Sequence, residues 1–151
     1  MEFHESLMFP ELTAPDRGAV FDAMGGAVIA AGHAREDYID ALHSREAAFP
    51  TGLPLSGGIA IPHTSAEYVS TNTIACATLT QPVTFGEMGG DPDSEIDVSM
   101  VFLLVVADGQ RQVAVLSQLI KTLRDASFVE CIRSASDSAA MARVLSTTLA
   151  G

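Results

Sequence analysis

The sequence predicts an α/β sandwich, in which helices flank a small β-sheet, built as one domain over residues 1–151. Segments with helical spacing of apolar residues occur together with short β-rich apolar segments along the chain. The 151 residues are 48% hydrophobic, which suits one ordinary domain with its own core. The chain shows no internal repeat, low-complexity stretch or linker that would divide it.

The first third of the chain predicts one strand and two helices. Residues 6–12 are predicted to form a short opening strand. Thr13, shortly before Pro15, is typical of a helix start, and the helix extends to Gly32. Its Gly25-Gly26 pair either weakens the helix or permits close packing. Residues 35–48 predict a second helix, which ends before a proline and a glycine.

The remainder of the chain predicts most of the sheet and three helices. Strands are expected over residues 73–79, 83–85 and 98–106, and helices over residues 110–123, 128–132 and 136–149. The strongly apolar segment 98–106 is predicted to be the central strand. Residues 86–93 are dense in turn formers and acidic residues, which predicts an exposed loop.

Charge and hydropathy exclude several classes of partner. Eight basic residues against nineteen acidic ones give a formal net charge of −11, so neither nucleic acid nor an anionic membrane surface is an expected ligand. A basic protein surface fits this charge better. The longest aliphatic run, residues 100–106, is far shorter than the roughly 20 residues that a membrane-spanning helix needs.

The amino-terminal segment and the cysteines predict a cytoplasmic protein. The amino-terminal segment lacks the cationic region of a secretory signal. Cys76 and Cys131 lie among apolar residues without CxxC spacing, so both are expected to be buried reduced thiols.

A histidine, His63, follows a short apolar run in the segment Gly58-Ile59-Ala60-Ile61-Pro62-His63-Thr64. An apolar run bounded by glycine and proline predicts a buried strand, and ligands bind at the carboxyl ends of strands in open α/β sheets. Proline restricts the preceding residue to extended geometry, which fixes the direction in which the imidazole leaves the sheet. A neutral imidazole attacks phosphoryl groups and can form a covalent intermediate. The other histidines lie in polar or helix-surface positions that need no role: His4, His33 and His43.

Residues near His63 in the sequence could bind a phosphoryl group. Arg45 has a planar guanidinium that can bind two phosphate oxygens, and Thr51 and Thr64 offer hydroxyl donors. The residues alone leave open whether His63 is a nucleophile or a structural histidine, and whether Arg45 binds phosphate or is only a surface residue.

The sequence predicts no metal or nucleotide cofactor. It contains no histidine pair with metal-helix spacing, no GxSxG, no P-loop and no dinucleotide fingerprint. The acidic run over residues 91–97 lacks both the glycine and the closing glutamate of a calcium loop, so it is expected to be a solvated loop.

Ordered motifs along nearly the whole chain carry a family resemblance. They are Tyr38-Ile39-Asp40-Ala41-Leu42, Arg45-Glu46, Phe49-Pro50-Thr51-Gly52, Gly58 to His63, and Phe85-Gly86-Glu87-Met88-Gly89. Together they resemble enzyme IIA of the phosphoenolpyruvate-dependent sugar phosphotransferase system, in the fructose–mannitol superfamily. The resemblance is closest to the galactitol-type branch.

The resemblance implies a mixed sheet flanked by helices and a phosphocarrier function. His63 would take a phosphoryl group on Nε2 from a phosphohistidine of the carrier HPr and pass it to a cysteine of enzyme IIB, after which the membrane enzyme IIC delivers the sugar. Arg45 would stabilise the phosphoryl group. Many mannitol- and fructose-type members have a second active-site histidine where this chain has Gln112, which can donate a hydrogen bond but cannot carry a positive charge.

Two alternatives to transport stay open. One is a regulatory phosphoprotein of the same fold, of the nitrogen type, in which phosphorylation of His63 changes the binding of another protein. The other is a non-catalytic binding module in which His63 only packs or forms hydrogen bonds.

Overall fold

A computed structural model describes residues 1–149 and shows one mixed five-stranded sheet with helices on both faces. The strands are β1 (Met8–Leu12), β2 (Gly52–Leu53), β3 (Ile59–Ala60), β4 (Thr73–Gly86) and β5 (Glu95–Val105). The helices are α1 (Arg17–Ala30), α2 (Tyr38–Ala48), α3 (Gly109–Leu123), α4 (Ala126–Ser134) and α5 (Ser138–Leu149). Short 3-10 turns lie at Glu5–Leu7 and Ala66–Tyr68. The predicted α/β sandwich around a small sheet is confirmed.

The strand order is β1-β4-β5-β3-β2, so β5 is central, as the apolar segment 98–106 predicts. β1 runs parallel to β4, and β3 runs parallel to β5, whereas the pairs β4–β5 and β2–β3 are antiparallel. Successive residues of a strand point to opposite faces, and the two faces carry separate cores. Ala75 and Ala77 of β4 pack with α1 and α2, while Ile74 and Cys76 pack with α3, α4 and α5.

Two predicted strands are a single strand in the structure. The segments 73–79 and 83–85 both belong to β4, whose pairing with β5 shifts register between Thr78 and Val83. Pro82 lies within the irregular part, where the ladder does not need its missing N–H. The proline therefore interrupts the sequence pattern without ending the strand.

The predicted start of each of the first two helices is too early. Asp16 rather than Thr13 caps α1, because its carboxylate accepts the Ala19 N–H at 2.8 Å. α2 begins at Tyr38, after a segment that pairs elsewhere: Ala34 bridges Val69, and the Arg35 N–H donates to the Tyr68 carbonyl at 2.9 Å. The Gly25-Gly26 pair permits close packing, since a Cβ on Gly25 would lie 2.9 Å from Cγ1 of Ile39 in α2.

The two cysteines differ in exposure. Cys76 is buried in β4, and burial raises the pKa of its thiol. Cys131 is exposed on α4, so the prediction that both are buried is wrong for this residue. Its neighbours Val129 and Ile132 face the core, and Cys131 lies on the solvent side of the same amphipathic helix. Among the described residues, no helix combines the length and the apolar character needed to cross a bilayer.

Gly58, directly before β3, should tolerate no side chain. Its φ is +87°, and an added Cβ would lie 1.8 Å from the Asp97 carbonyl oxygen. We expect Gly58→Ala to lower the free energy of unfolding by about 2 kcal/mol or more, as measured by urea denaturation. The matched control is Gly26→Ala in α1, where the added Cβ meets nothing within 4 Å. This control should gain about 0.5–1 kcal/mol, and equal stabilities of the two variants would contradict the prediction.

Candidate functional site

The backbone directly before His63 is held by hydrogen bonds from two directions. The Ile61 N–H donates to the Thr51 carbonyl at 3.2 Å, and the Leu104 N–H donates to the Pro62 carbonyl at 3.0 Å. The regular strand β3 nevertheless ends at Ala60, earlier than the sequence pattern predicts. Pro62 has no N–H to continue the ladder, so His63 leaves the sheet at a defined point.

The imidazole of His63 is oriented by its own main chain. Its ring is buried, with 8% exposed, and Nδ1 lies 2.9 Å from the Ile61 carbonyl oxygen. A carbonyl only accepts hydrogen bonds, so Nδ1 carries the hydrogen and Nε2 keeps its lone pair in the neutral ring. Burial and the nearby Arg45 lower the pKa of His63, and the bond to Ile61 opposes them in part. The geometry therefore favours a neutral imidazole with Nε2 available for attack.

His63 lines a cleft of about 380 Å³. The cleft is formed by the end of α2, the segment before β2, the loop between β4 and β5, and α3, through Arg45, Ala48, Phe49, Pro50, Thr51, Glu87, Met88, Gly89, Gly90 and Leu116. A second cleft of about 430 Å³ adjoins the first, since Arg45, Ala48 and Phe49 line both. Asp37, Asp40 and Thr64 line this second cleft.

The loop predicted to be exposed takes part in the first cleft. Residues 89–93 are exposed as predicted, whereas Glu87 and Met88 are half-buried. The Met88 N–H donates to the Gly52 carbonyl at 2.8 Å, which ties the loop to β2. The sequence pattern could not indicate this contact because it joins segments far apart in the chain.

Arg45 is placed to receive an anion. Its guanidinium carbon lies 4.6 Å from the centre of the Phe49 ring, and the side chain is half-buried. Within residues 1–149, its buried Nε has no hydrogen-bond partner. A stacked guanidinium with an unused N–H at the mouth of a cleft is the arrangement that binds phosphate or carboxylate oxygens.

Of the other predicted residues, Thr51 lines the cleft of His63, Thr64 lines the second cleft and Gln112 lines neither, and some of their donors are already used. The Thr51 hydroxyl donates to Oε1 of Glu46 at 2.7 Å, so its hydrogen is not directed at the cleft. The Thr64 hydroxyl, among the described residues, makes one long contact of 3.5 Å to the Ala41 carbonyl. Gln112, in the first turn of α3, donates through Nε2 to the Thr64 carbonyl at 2.7 Å, and it lines neither cleft.

Glu46 is a site residue that sequence reasoning missed. It is 1% exposed and accepts both the N–H and the hydroxyl of Thr51, each at 2.7 Å. A signal was present in the sequence, since Glu46 follows Tyr38 and Leu42 at intervals of one helical turn. A carboxylate on the core-facing side of a helix indicates a special role.

The remaining histidines lie outside both clefts. His33 shares a hydrogen bond of 2.8 Å with the Thr71 hydroxyl and stacks on His4, with ring centres 5.1 Å apart. His43 lies 4.0 Å from a carboxylate oxygen of Asp22. Among the described residues, no group of three or more histidine, cysteine or acidic side chains is arranged to hold a metal ion.

The lowered pKa of His63 predicts a specific titration behaviour. The ring should stay neutral as the pH falls through 6.5, the ordinary histidine value, and should protonate only at lower pH. Since Arg45 contributes to this shift, Arg45→Gln should move the midpoint back towards that value. The check is a pH titration of the His63 ring signals by NMR in both proteins. A midpoint above 6.5 in the wild type would contradict the site geometry.

The sequence of this chain matches one family model and is similar to a protein of Escherichia coli. Residues 1–147 match the family model described as "Phosphoenolpyruvate-dependent sugar phosphotransferase system, EIIA 2". The galactitol-specific EIIA component of Escherichia coli K12 is 34% identical over 118 residues, which cover 78% of this chain and 77% of that protein.

Two solved structures share the fold. The nitrogen regulatory protein IIA-Ntr from Neisseria meningitidis is 26% identical with a TM-score of 0.74, and the match covers 95% of both chains. A chain from the complex of Escherichia coli enzyme IIAMTL with phosphorylated enzyme IIBMTL is 19% identical with a TM-score of 0.76. That match covers 96% of this chain and 99% of the other, and at this identity it supports the fold alone.

Proposed function

Because the chain belongs to the EIIA type 2 family of the phosphoenolpyruvate-dependent sugar phosphotransferase system, we propose that it carries its phosphoryl group on Nε2 of His63. The protein is a phosphocarrier, and the observation that supports this site is the hydrogen bond from Nδ1 to the Ile61 carbonyl. That bond leaves the lone pair on Nε2, in a residue that lines a cleft together with Arg45.

The transfer is a direct displacement at phosphorus. The Nε2 lone pair attacks in line, so that an Nε2–P bond forms while the N–P bond of the donor phosphohistidine breaks. In the onward step a cysteine thiolate of the acceptor attacks the same phosphorus, an S–P bond forms, and the Nε2–P bond breaks. Catalysis then consists of positioning the reacting groups and of stabilising the charge on the oxygens of the phosphoryl group during its transfer.

Arg45 supplies that stabilisation. Its free Nε and one terminal nitrogen can donate to two phosphoryl oxygens at once. The Phe49 ring under the guanidinium limits its orientations. Thr64 lines the neighbouring cleft, and its hydroxyl is the less firmly engaged of the two threonine hydroxyls, so it is the better second donor once the phosphoryl group is bound. Gln112 then acts through the Thr64 main chain, and Thr51 forms part of the cleft wall.

The partners follow from the family and from the relatives. HPr is the donor, enzyme IIB provides the accepting cysteine, and the membrane enzyme IIC is reached only through enzyme IIB. The identity with the galactitol-specific component supports a galactitol-like sugar, and membership of the family is consistent with the cytoplasmic location that the sequence predicts. We propose a single domain over residues 1–151, of which the structure describes 1–149.

Intact-protein mass spectrometry tests this function. The protein is incubated with phosphoenolpyruvate, enzyme I and HPr, and we expect one acid-labile phosphoryl group. Adding galactitol-type enzyme IIB should remove it quickly, whereas a mannitol-type enzyme IIB should remove it slowly. No phosphorylation by a cognate HPr would overturn the proposal in favour of a binding module.

The likeness to IIA-Ntr supports one competing function, a regulatory phosphoprotein. The same experiment separates the two functions, because a regulator keeps its phosphoryl group whichever enzyme IIB is supplied. Persistence of the group with every enzyme IIB tested would therefore favour regulation over transport.

A further inference from the structure

Glu46 is an unusual group to find in the interior beside this site. Its carboxylate is 1% exposed, and burial raises its pKa. Among the described residues it forms no ion pair within 4.0 Å. Burying a carboxylate is costly unless hydrogen bonds offset the lost hydration, and here they come from one residue, Thr51. An apolar side chain would pack at this face of α2 with less cost, so the carboxylate requires a reason.

The hydrogen bonds of Glu46 connect it, through Thr51 and Ile61, to His63. Glu46 Oε2 accepts the Thr51 N–H at 2.7 Å, and Oε1 accepts the Thr51 hydroxyl at 2.7 Å. The Thr51 carbonyl accepts the Ile61 N–H at 3.2 Å. The Ile61 carbonyl accepts Nδ1–H of His63 at 2.9 Å. Four hydrogen bonds thus connect a helix carboxylate to the imidazole, with main-chain groups of Thr51 and Ile61 between them.

The segment that these bonds position is held on one side by β5, through the β3 pairing and the Pro62 carbonyl. On its other side the ladder of β2 with β3 is only two residues long, so the bond from the Ile61 N–H to the Thr51 carbonyl extends a short ladder. Ile61 precedes Pro62, which holds Ile61 extended and leaves its carbonyl free to accept from His63. A shift of Thr51 would move the acceptor of the Ile61 N–H. The Ile61 carbonyl, which determines that Nδ1 of His63 carries the ring hydrogen, would then move as well.

We propose that Glu46 is a positioning residue of the phosphocarrier site, which holds His63 with its hydrogen on Nδ1 by fixing Thr51 and, through it, Ile61. The proposal rests on the function proposed for His63. Glu46 does not line the cleft of His63, so it acts through other residues. Its neighbour Arg45 does line that cleft, and α2 therefore orients both the guanidinium and, indirectly, the nucleophile.

A matched set of variants tests the connection. Thr51→Val removes the hydroxyl donor with little change in shape, whereas Thr51→Ser keeps a hydroxyl donor at this position. Glu46→Leu removes both carboxylate acceptors. The control is Thr73→Val, which removes another buried threonine hydroxyl, one that donates to the Glu2 carbonyl at 2.7 Å in a residue that lines neither cleft. Two quantities are measured in each protein: the tautomer of His63, from nitrogen NMR without any phosphoryl donor, and the single-turnover rate of phosphorylation by phospho-HPr.

Thr51→Val and Glu46→Leu should give mixtures of the two ring tautomers and should slow phosphorylation by roughly tenfold to a hundredfold. Thr51→Ser should return both quantities to near the wild-type values. Thr73→Val should leave both unchanged although it loses a buried hydrogen bond. If Glu46→Leu does not fold, the two Thr51 variants decide alone.

A wild-type tautomer in folded Thr51→Val would overturn the proposal, as would equal changes in Thr73→Val. Because the tautomer is measured without a donor, the test is independent of the proposed function. A wild-type protein that HPr cannot phosphorylate would contradict that function and leave the positioning result to be judged from NMR.

Discussion

His63→Ala should carry no phosphoryl group after incubation with phosphoenolpyruvate, enzyme I and HPr. The reason is chemical, since alanine has no lone pair to attack phosphorus and none of the other histidines lines either cleft. The measurement is intact-protein mass spectrometry under conditions that preserve acid-labile phosphate. Far-ultraviolet circular dichroism should show an unchanged fold, because within residues 1–149 the imidazole makes only the hydrogen bond to Ile61.

His43→Ala is the matched control for this experiment. His43 lies on α2 beside Asp22 and outside both clefts. This variant should accept one phosphoryl group, like the wild type. A phosphorylated His63→Ala protein, or an inert His43→Ala protein, would show that the acceptor has been assigned to the wrong residue.

Arg45→Ala should slow phosphorylation by about a hundredfold to a thousandfold, as measured by rapid-quench single turnovers. The variant removes the only side chain in the His63 cleft, among the described residues, that is permanently cationic. Arg45→Lys keeps the charge but loses the two-pronged donor geometry and the planar stacking on Phe49. We therefore expect Arg45→Lys to remain at least about tenfold slower than the wild type.

Arg35→Ala provides the control for arginine removal. Arg35 is exposed, pairs with Asp37 at 2.9 Å, and lines neither cleft. Its loss should change the transfer rate by less than about twofold, because exposed ion pairs contribute little. If Arg35→Ala and Arg45→Ala were equally slow, general surface charge would explain the effect better than a phosphoryl ligand at Arg45.

Local periodicity predicted most of the elements because it reports which face of each segment is buried. The amphipathic helix α3 and the apolar strand β5 carry strong patterns, and both form close to the predicted ranges. Errors occurred where a long-range contact overrides the local pattern. Pro82 suggests a break, but pairing with β5 resumes beyond it, at Val83. Ala34 and Arg35 pair with the distant segment at Val69 and Tyr68, and α2 starts only after them, later than its sequence allows.

The sequence predicted several residues of the candidate site, but it did not predict the hydrogen bonds between them. The segment leading to His63 and the arginine on α2 could be identified from sequence because each sits in a locally distinctive motif. The partners of Thr51 and Gln112 could not, since Glu46 and Thr64 come into reach only when the chain has folded. Met88 enters the cleft for the same reason, through its hydrogen bond to Gly52.

The main-chain acceptor of His63 also determines how easily the phosphoryl group departs. The Ile61 carbonyl binds the hydrogen on Nδ1 but is too weak a base to remove it. As long as that hydrogen stays on Nδ1, the ring is an imidazolium once Nε2 is bonded to phosphorus. When the phosphoryl group moves on, the leaving group is a neutral imidazole rather than an imidazolate anion. The carrier can thus pass on its phosphoryl group without an acid to protonate it, and the bond that orients the nucleophile also makes it a good leaving group.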